Sequence, residues 1–307
     1  MVDKIVRTGM FLDLFLAKIE PYTTIYAMED IMRLSRFICG TILAVFATSA
    51  PAMAHEFWLD AHDYMLESGQ ELRIYIRVGQ DFKGNKYSFN PNEFFDFSLT
   101  DGSGKNPIEG RIGDRPAVSL VIADEGLLVL NHFSTSQLLT YDEFEMFESF
   151  VRNKGLDWVL EKHVERGLPV TEFGEGYTRF AKSLIAVGQG AGSDALTGMP
   201  FELLALKNPY TDDISDGLPV RLFFGAETLP DIQIDIFQRS VDQDTVVKTH
   251  VTTDETGTAV IPVINGNIYL INAVHMIIPS DEDTARTTAV WHSLWASMTF
   301  QAGPAAQ

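Results

Sequence analysis

Residues 218–236 read LPVRLFFGAETLPDIQIDI, and two alternations in this stretch decide the fold class. Leu218, Val220, Leu222 and Phe224 occupy every second position, and so do Ile232, Ile234 and Ile236. Successive side chains of a strand point to opposite faces, so each run predicts a strand with one buried face, and Gly225 and Pro230 between them mark a turn. The pattern continues through 245–251, 258–264, 267–274 and 289–300. Short strands at this spacing, with turn residues between them, predict an antiparallel β-sandwich over 213–302, followed by a tail at 303–307.

Towards the N-terminus, the polar, turn-rich segment KNPYTDDISDGL (207–218) separates this region from a second one, 55–212. There ELRIYIRV (71–78) alternates, with Leu72, Ile74, Ile76 and Val78 on one face and Arg73, Tyr75 and Arg77 on the other. Residues 93–99, 118–123, 127–133 and 202–206 also read as strands. The period changes at Thr140. Phe144, Phe147 and Val151 have helical spacing, Thr140 precedes Glu143 by three residues as in a capping box, and Lys154-Gly155 is a stop. A second helical run covers Leu156 to Arg166 and ends at Gly167, giving a helical insert at 140–167. YTRFAKSLIAV (177–187) fits strand and helix equally. The expectation is a mainly β chain: an N-terminal β-rich domain with a helical insert, then a C-terminal sandwich.

Residues 32–54, MRLSRFICGTILAVFATSAPAMA, have the order of a secretory signal peptide: Arg33 and Arg36, an apolar run through Phe46, then Ala52-Met53-Ala54. The apolar run falls short of the about 20 residues a membrane span needs. Residues 1–31 are expected to be an upstream extension outside the fold. Cleavage after Ala54 would remove Cys39, the one cysteine, while all seven histidines and the net charge of -19 stay with the mature chain. A field of that sign repels phosphate backbones and excludes a nucleic-acid partner. Without thiols, the metal-ligand types left are imidazole, carboxylate and thioether. The expected location is the periplasm or the exterior, with no membrane segment in the mature chain.

His55 is the most informative position. If cleavage follows Ala54, it offers an α-amine, with a reference pKa just below 8, and an imidazole that can close a chelate ring with it, an arrangement suited especially to copper or nickel among the divalent transition metals. His275, followed by the soft thioether of Met276 at the end of a strand, and His62 are the candidate partners. His292 alternates with Leu294, Ala296 and Met298 and reads as packing, while His132, His163 and His250 read as structural. No G-x-S-x-G, G-x-x-x-x-G-K-[ST] or H-E-x-x-H motif is present, and a non-enzymatic role is expected. Two other readings compete. One is an envelope or carbohydrate-binding module gripping its ligand with Phe57, Trp58, Tyr64, Trp291 and Trp295; the other is a copper oxidase with an N-terminal histidine brace.

AHEFWL (54–59), GLDWVL (155–160), GYTRFAKSL (176–184), PFELLALKNPY (200–210), TTDETG (252–257), NIYLINAVHM (267–276) and WHSLWASMTF (291–300) occur in this order. Together they resemble a bacterial periplasmic family of unknown function related to the NikM component of nickel or cobalt uptake. The resemblance implies a transition metal as cofactor or cargo, a membrane transporter as partner, and a transthyretin- or carboxypeptidase-regulatory-like C-terminal sandwich. It carries over to His55 and His275, with Met276 beside it.

Overall fold

A computed structural model describes residues 55–240, 245–280 and 286–303. The upstream extension, the signal segment and residues 304–307 lie outside the described residues. The N-terminal half contributes β1 (Glu56–Ala61), β2 (Met65–Leu66), β3 (Glu71–Gln80), β4 (Lys83–Tyr87), β5 (Phe94–Asp101) and β6 (Gly104–Pro107). After them come β7 (Val118–Val121), β8 (Gly126–Ser134), β9 (Gln137–Tyr141), helices α1 (Phe144–Asn153) and α2 (Trp158–Glu165), and the long β10 (Phe173–Val187). The remainder adds β11 (Phe201–Ala205), β12 (Leu218–Phe224), β13 (Glu227–Thr228), β14 (Gln233–Arg239) and β15 (Val246–Thr252). The last strands are β16 (Thr258–Ile261), β17 (Ile268–Ile277) and β18 (Ala289–Gln301). The chain is mainly β and sandwich-like, as its alternations require.

A ten-stranded sheet forms the middle layer, in the order β15-β14-β17-β18-β10-β8-β5-β6, with β2 and β9 pairing to β10. It takes strands from both sides of residue 212. The join is the pair β10 and β18, which run parallel while most neighbours are antiparallel. Alternation then sorts side chains to two faces. Phe180 and Leu184 of β10, Ile271 of β17 and Met298 of β18 meet a four-stranded sheet of β11, β12, β13 and β16. On the other face, Ala181 and Ile185 of β10 and Leu128 of β8 meet the sheet of β1, β3, β4 and β7. Alongside that sheet, Val274, Met276, Trp291 and Trp295 are covered by α1 and α2. A middle strand buried on both faces needs apolar residues at successive positions, which resolves 177–187 as strand.

The first helix begins later than Thr140. Thr140 and Tyr141 belong to β9 and pair with Gly174 and Phe173 of β10, so their backbone groups are taken by the sheet. Glu143 stands at the helix start with no side-chain cap bond, and no capping box forms. Gly155 and Gly167, both at positive φ, end the two helical runs as expected.

Candidate functional site

The head of β1 is anchored by side chains from three other elements. His55 directly precedes it, half-buried, and its carbonyl accepts Nη2 of Arg179 at 3.2 Å. The buried Glu56 carboxylate accepts Lys154 Nζ at 2.9 Å, and the same ammonium donates to Asp235 at 2.7 Å. Burial works against the charged Lys154, but the two carboxylates outweigh it and hold its pKa above the ordinary lysine value. Lys154 closes α1, so the helical insert fastens β1 to β14. Farther along, Ser297 Oγ and Thr299 Oγ1 donate to the carbonyls of Phe57 and Leu59, each at 2.7 Å. A short strand is thereby tied to the middle sheet by side chains.

Beside this strand end lies a cleft of about 480 Å³, within the range of small-molecule sites. Phe57, Tyr87, Phe94 and Tyr177 give it an aromatic lining, and Asn90, Glu93 and Gln137 add polar groups. His55, His132 and Arg179 also face it. His132 sits among Phe57, Phe94 and Phe97 at ring separations of 4.9, 5.3 and 5.1 Å. Burial lowers its pKa to about 3, so the ring is neutral, and its buried Nδ1 has no hydrogen-bond partner.

Arg179 is the unusual group. Its guanidinium lies 4.6 Å from the Tyr177 ring centre and 5.8 Å from that of Phe57. Burial depresses its pKa, and its Nε is buried without an acceptor. Among the described residues no carboxylate forms an ion pair with it; Glu56, whose charge it feels, is already held by Lys154.

The residues singled out from sequence fall apart in space. His62 follows the far end of β1, 3.9 Å from the Asp63 carboxylate; seven residues of extended chain separate it from His55 by roughly 20 Å. His275 shares a face with Ile271 and Ala273 and packs against Phe201 and Phe224, at 6.1 and 5.4 Å, with its Nδ1 buried and unbonded. Burial lowers its pKa. Met276 turns to the opposite face, among Val274 and Trp295 under the helices. His55 is on that second side of the middle sheet, with Phe57 and Arg179, so His275 faces away from it; Met276, on the same side, is buried among Val274, Trp291 and Trp295 and does not line the cleft. Among the described residues no group of three or more His, Cys, Asp or Glu is placed to hold a metal.

His292 bonds Thr178 at 2.8 Å, and His163 accepts from Trp291 Nε1 at 3.0 Å while its Nε2 reaches the Pro169 carbonyl at 2.9 Å. Phe57, Trp58, Tyr64, Trp291 and Trp295 are all buried, so they form no exposed platform; Phe57 alone of the five lines the cleft. Sequence reasoning missed Arg179, Tyr177 and Tyr87.

A family model described as a domain of unknown function, DUF4198, matches residues 52–277. No curated protein matches the chain. Among solved structures, a tetra-tandem repeat in the extending region of a large adhesion protein is similar at 14% identity, over 80% of this chain and 48% of that one, with a TM-score of 0.19. The chain thus spans about half the length of that structure. Among the described residues no helix is long and apolar enough to cross a membrane.

Proposed function

The chain belongs to the DUF4198 family, whose description assigns no activity, and from that premise we propose an exported envelope protein that binds a divalent transition metal (nickel, cobalt or copper) through His55 and passes it to an uptake system. The observation that carries this reading is the placement of His55. Processing after Ala54 would leave its amine and imidazole at the edge of the 480 Å³ cleft, with its carbonyl bonded by Arg179 and the side chain of the next residue, Glu56, held by Lys154. A chelating residue held in place loses less conformational freedom on binding than one on a free tail. The cleft adds another imidazole, His132, which burial keeps neutral. The resemblance of AHEFWL and NIYLINAVHM to the NikM-related family supports the choice of metal class.

N-terminal sequencing of the exported, tag-free protein, followed by metal titration before and after acetylation of the terminal amine, tests this. The expected result is a chain beginning at His55 that takes up about one equivalent and loses most of its affinity on acetylation. A different terminus, or an unchanged titration, overturns it.

A further inference from the structure

We infer that the cleft beside β1 is a binding site for a small aromatic carboxylate, with Arg179 as its anion-recognition residue. Taking even part of a guanidinium out of water is unfavourable unless the charge is paired and hydrogen-bonded. Here the protein supplies two neutral acceptors, the His55 carbonyl and the Tyr177 hydroxyl, and two aromatic faces, but no carboxylate paired with the guanidinium, because Glu56, whose charge it feels, is held by Lys154. The missing partner is a negative charge, and the guanidinium borders a space large enough for one to enter with its carbon skeleton. Guanidinium presents a planar fork that matches the two oxygens of a carboxylate.

The remaining lining selects among anions. Phe57, Tyr87, Phe94 and Tyr177 offer ring faces and edges to a flat apolar body, which a phosphate or sulfate cannot use. Glu93, at the cleft's rim and bonded by Asn90 at 2.8 Å, is repelled by a second negative group and so favours a monocarboxylate over a di- or tricarboxylate.

The proposal shares its cleft with the metal reading but does not depend on it, and the experiment keeps the two apart. Benzoate, acetate and inorganic phosphate are titrated into tag-free, EDTA-treated protein by calorimetry, with the terminal amine free and then acetylated. The expected result is one equivalent of benzoate bound in both preparations, with acetate and phosphate at least about tenfold weaker. In Arg179→Met, benzoate affinity falls at least about tenfold while a thermal melt shows the protein folded; in Tyr87→Ala, at the exposed rim, it falls by a smaller factor. No benzoate binding to the parent protein up to about 10 mM overturns the proposal, as does phosphate binding as tight as benzoate or an Arg179→Met variant that binds normally.

Discussion

The Arg179 guanidinium holds the carbonyl of His55 at 3.2 Å without an ion-pair partner of its own among the described residues. Bonds to neutral acceptors, the His55 carbonyl and the Tyr177 hydroxyl, return less than the desolvation of the charge takes away, and the lowered pKa has the same origin. Methionine has a comparable length and no charge to bury. Arg179→Met is therefore expected to be more stable than the parent, by about 1 kcal/mol, read as a higher urea midpoint at unchanged slope. A gain in stability on removing a buried polar residue is what a site kept for binding would show.

Lys154 presents the opposite case. Its ammonium lies between Glu56 at 2.9 Å and Asp235 at 2.7 Å, all three buried. In Lys154→Met, Glu56 loses its salt bridge and Asp235 keeps the hydrogen bond from Gln233 Nε2 at 2.8 Å and, of its ion pairs, only Lys248 at 3.8 Å. A loss of about 3–5 kcal/mol is expected, the range for breaking a buried pair by removing one partner. Adding Glu56→Gln and Asp235→Asn removes the stranded charges and should recover a large part of it. Chemical denaturation of the single and triple variants checks this.

The alternations at 218–236 were legible because β12 and β14 each send one row into a core: Val220 and Leu222, Ile234 and Ile236. The strand at 177–187 was not, because both rows of β10 are covered and the residues from Leu184 to Val187 are apolar without a break. Its parallel pairing with β18 joins residues more than a hundred positions apart, Tyr177 with Ser293, and no local pattern announces that. His275 and Met276 looked like adjacent ligands, yet the two-residue period of a strand sends neighbours to opposite faces. The sequence order pointed to His55 through the Ala-Met-Ala that precedes it. Arg179 carries no such marker, since an arginine alternating with Tyr177 and Ala181 looks the same whether it meets solvent or a cleft.

His132 predicts an acid-side liability. Its pKa is 6.5 when free and about 3 in the fold, where burial excludes the charged ring. The unfolded chain then binds the extra proton first, so the stability from this group is fully present above about pH 6.5 and is lost as pH falls towards 3. At pH 4 the loss is about 3 kcal/mol. His132→Phe keeps a ring among Phe57, Phe94 and Phe97 but cannot titrate, and its stability should fall less between pH 7 and pH 4 than that of the parent. Equal falls would show that the ring is not buried in neutral form.

Glu175 works in the other direction. It is fully buried on the same side of the sheet as the helices, accepting Tyr141 Oη at 2.7 Å and Ser293 Oγ, while Ser293 Oγ in turn accepts Trp295 Nε1 at 2.9 Å. Burial raises its pKa from 4.5 to about 7 despite these hydrogen bonds, which favour the ionised form. The folded state holds its proton where the unfolded chain has released it, so the contribution is complete below about pH 4.5 and is lost as pH rises through 7. The difference amounts to about 3 kcal/mol by pH 8. Glu175→Gln retains an acceptor for Tyr141 and stays neutral. Urea midpoints should show it close to the parent at pH 5 and well above it at pH 8; a constant offset at both would mean that Glu175 does not change its charge in the fold over this range.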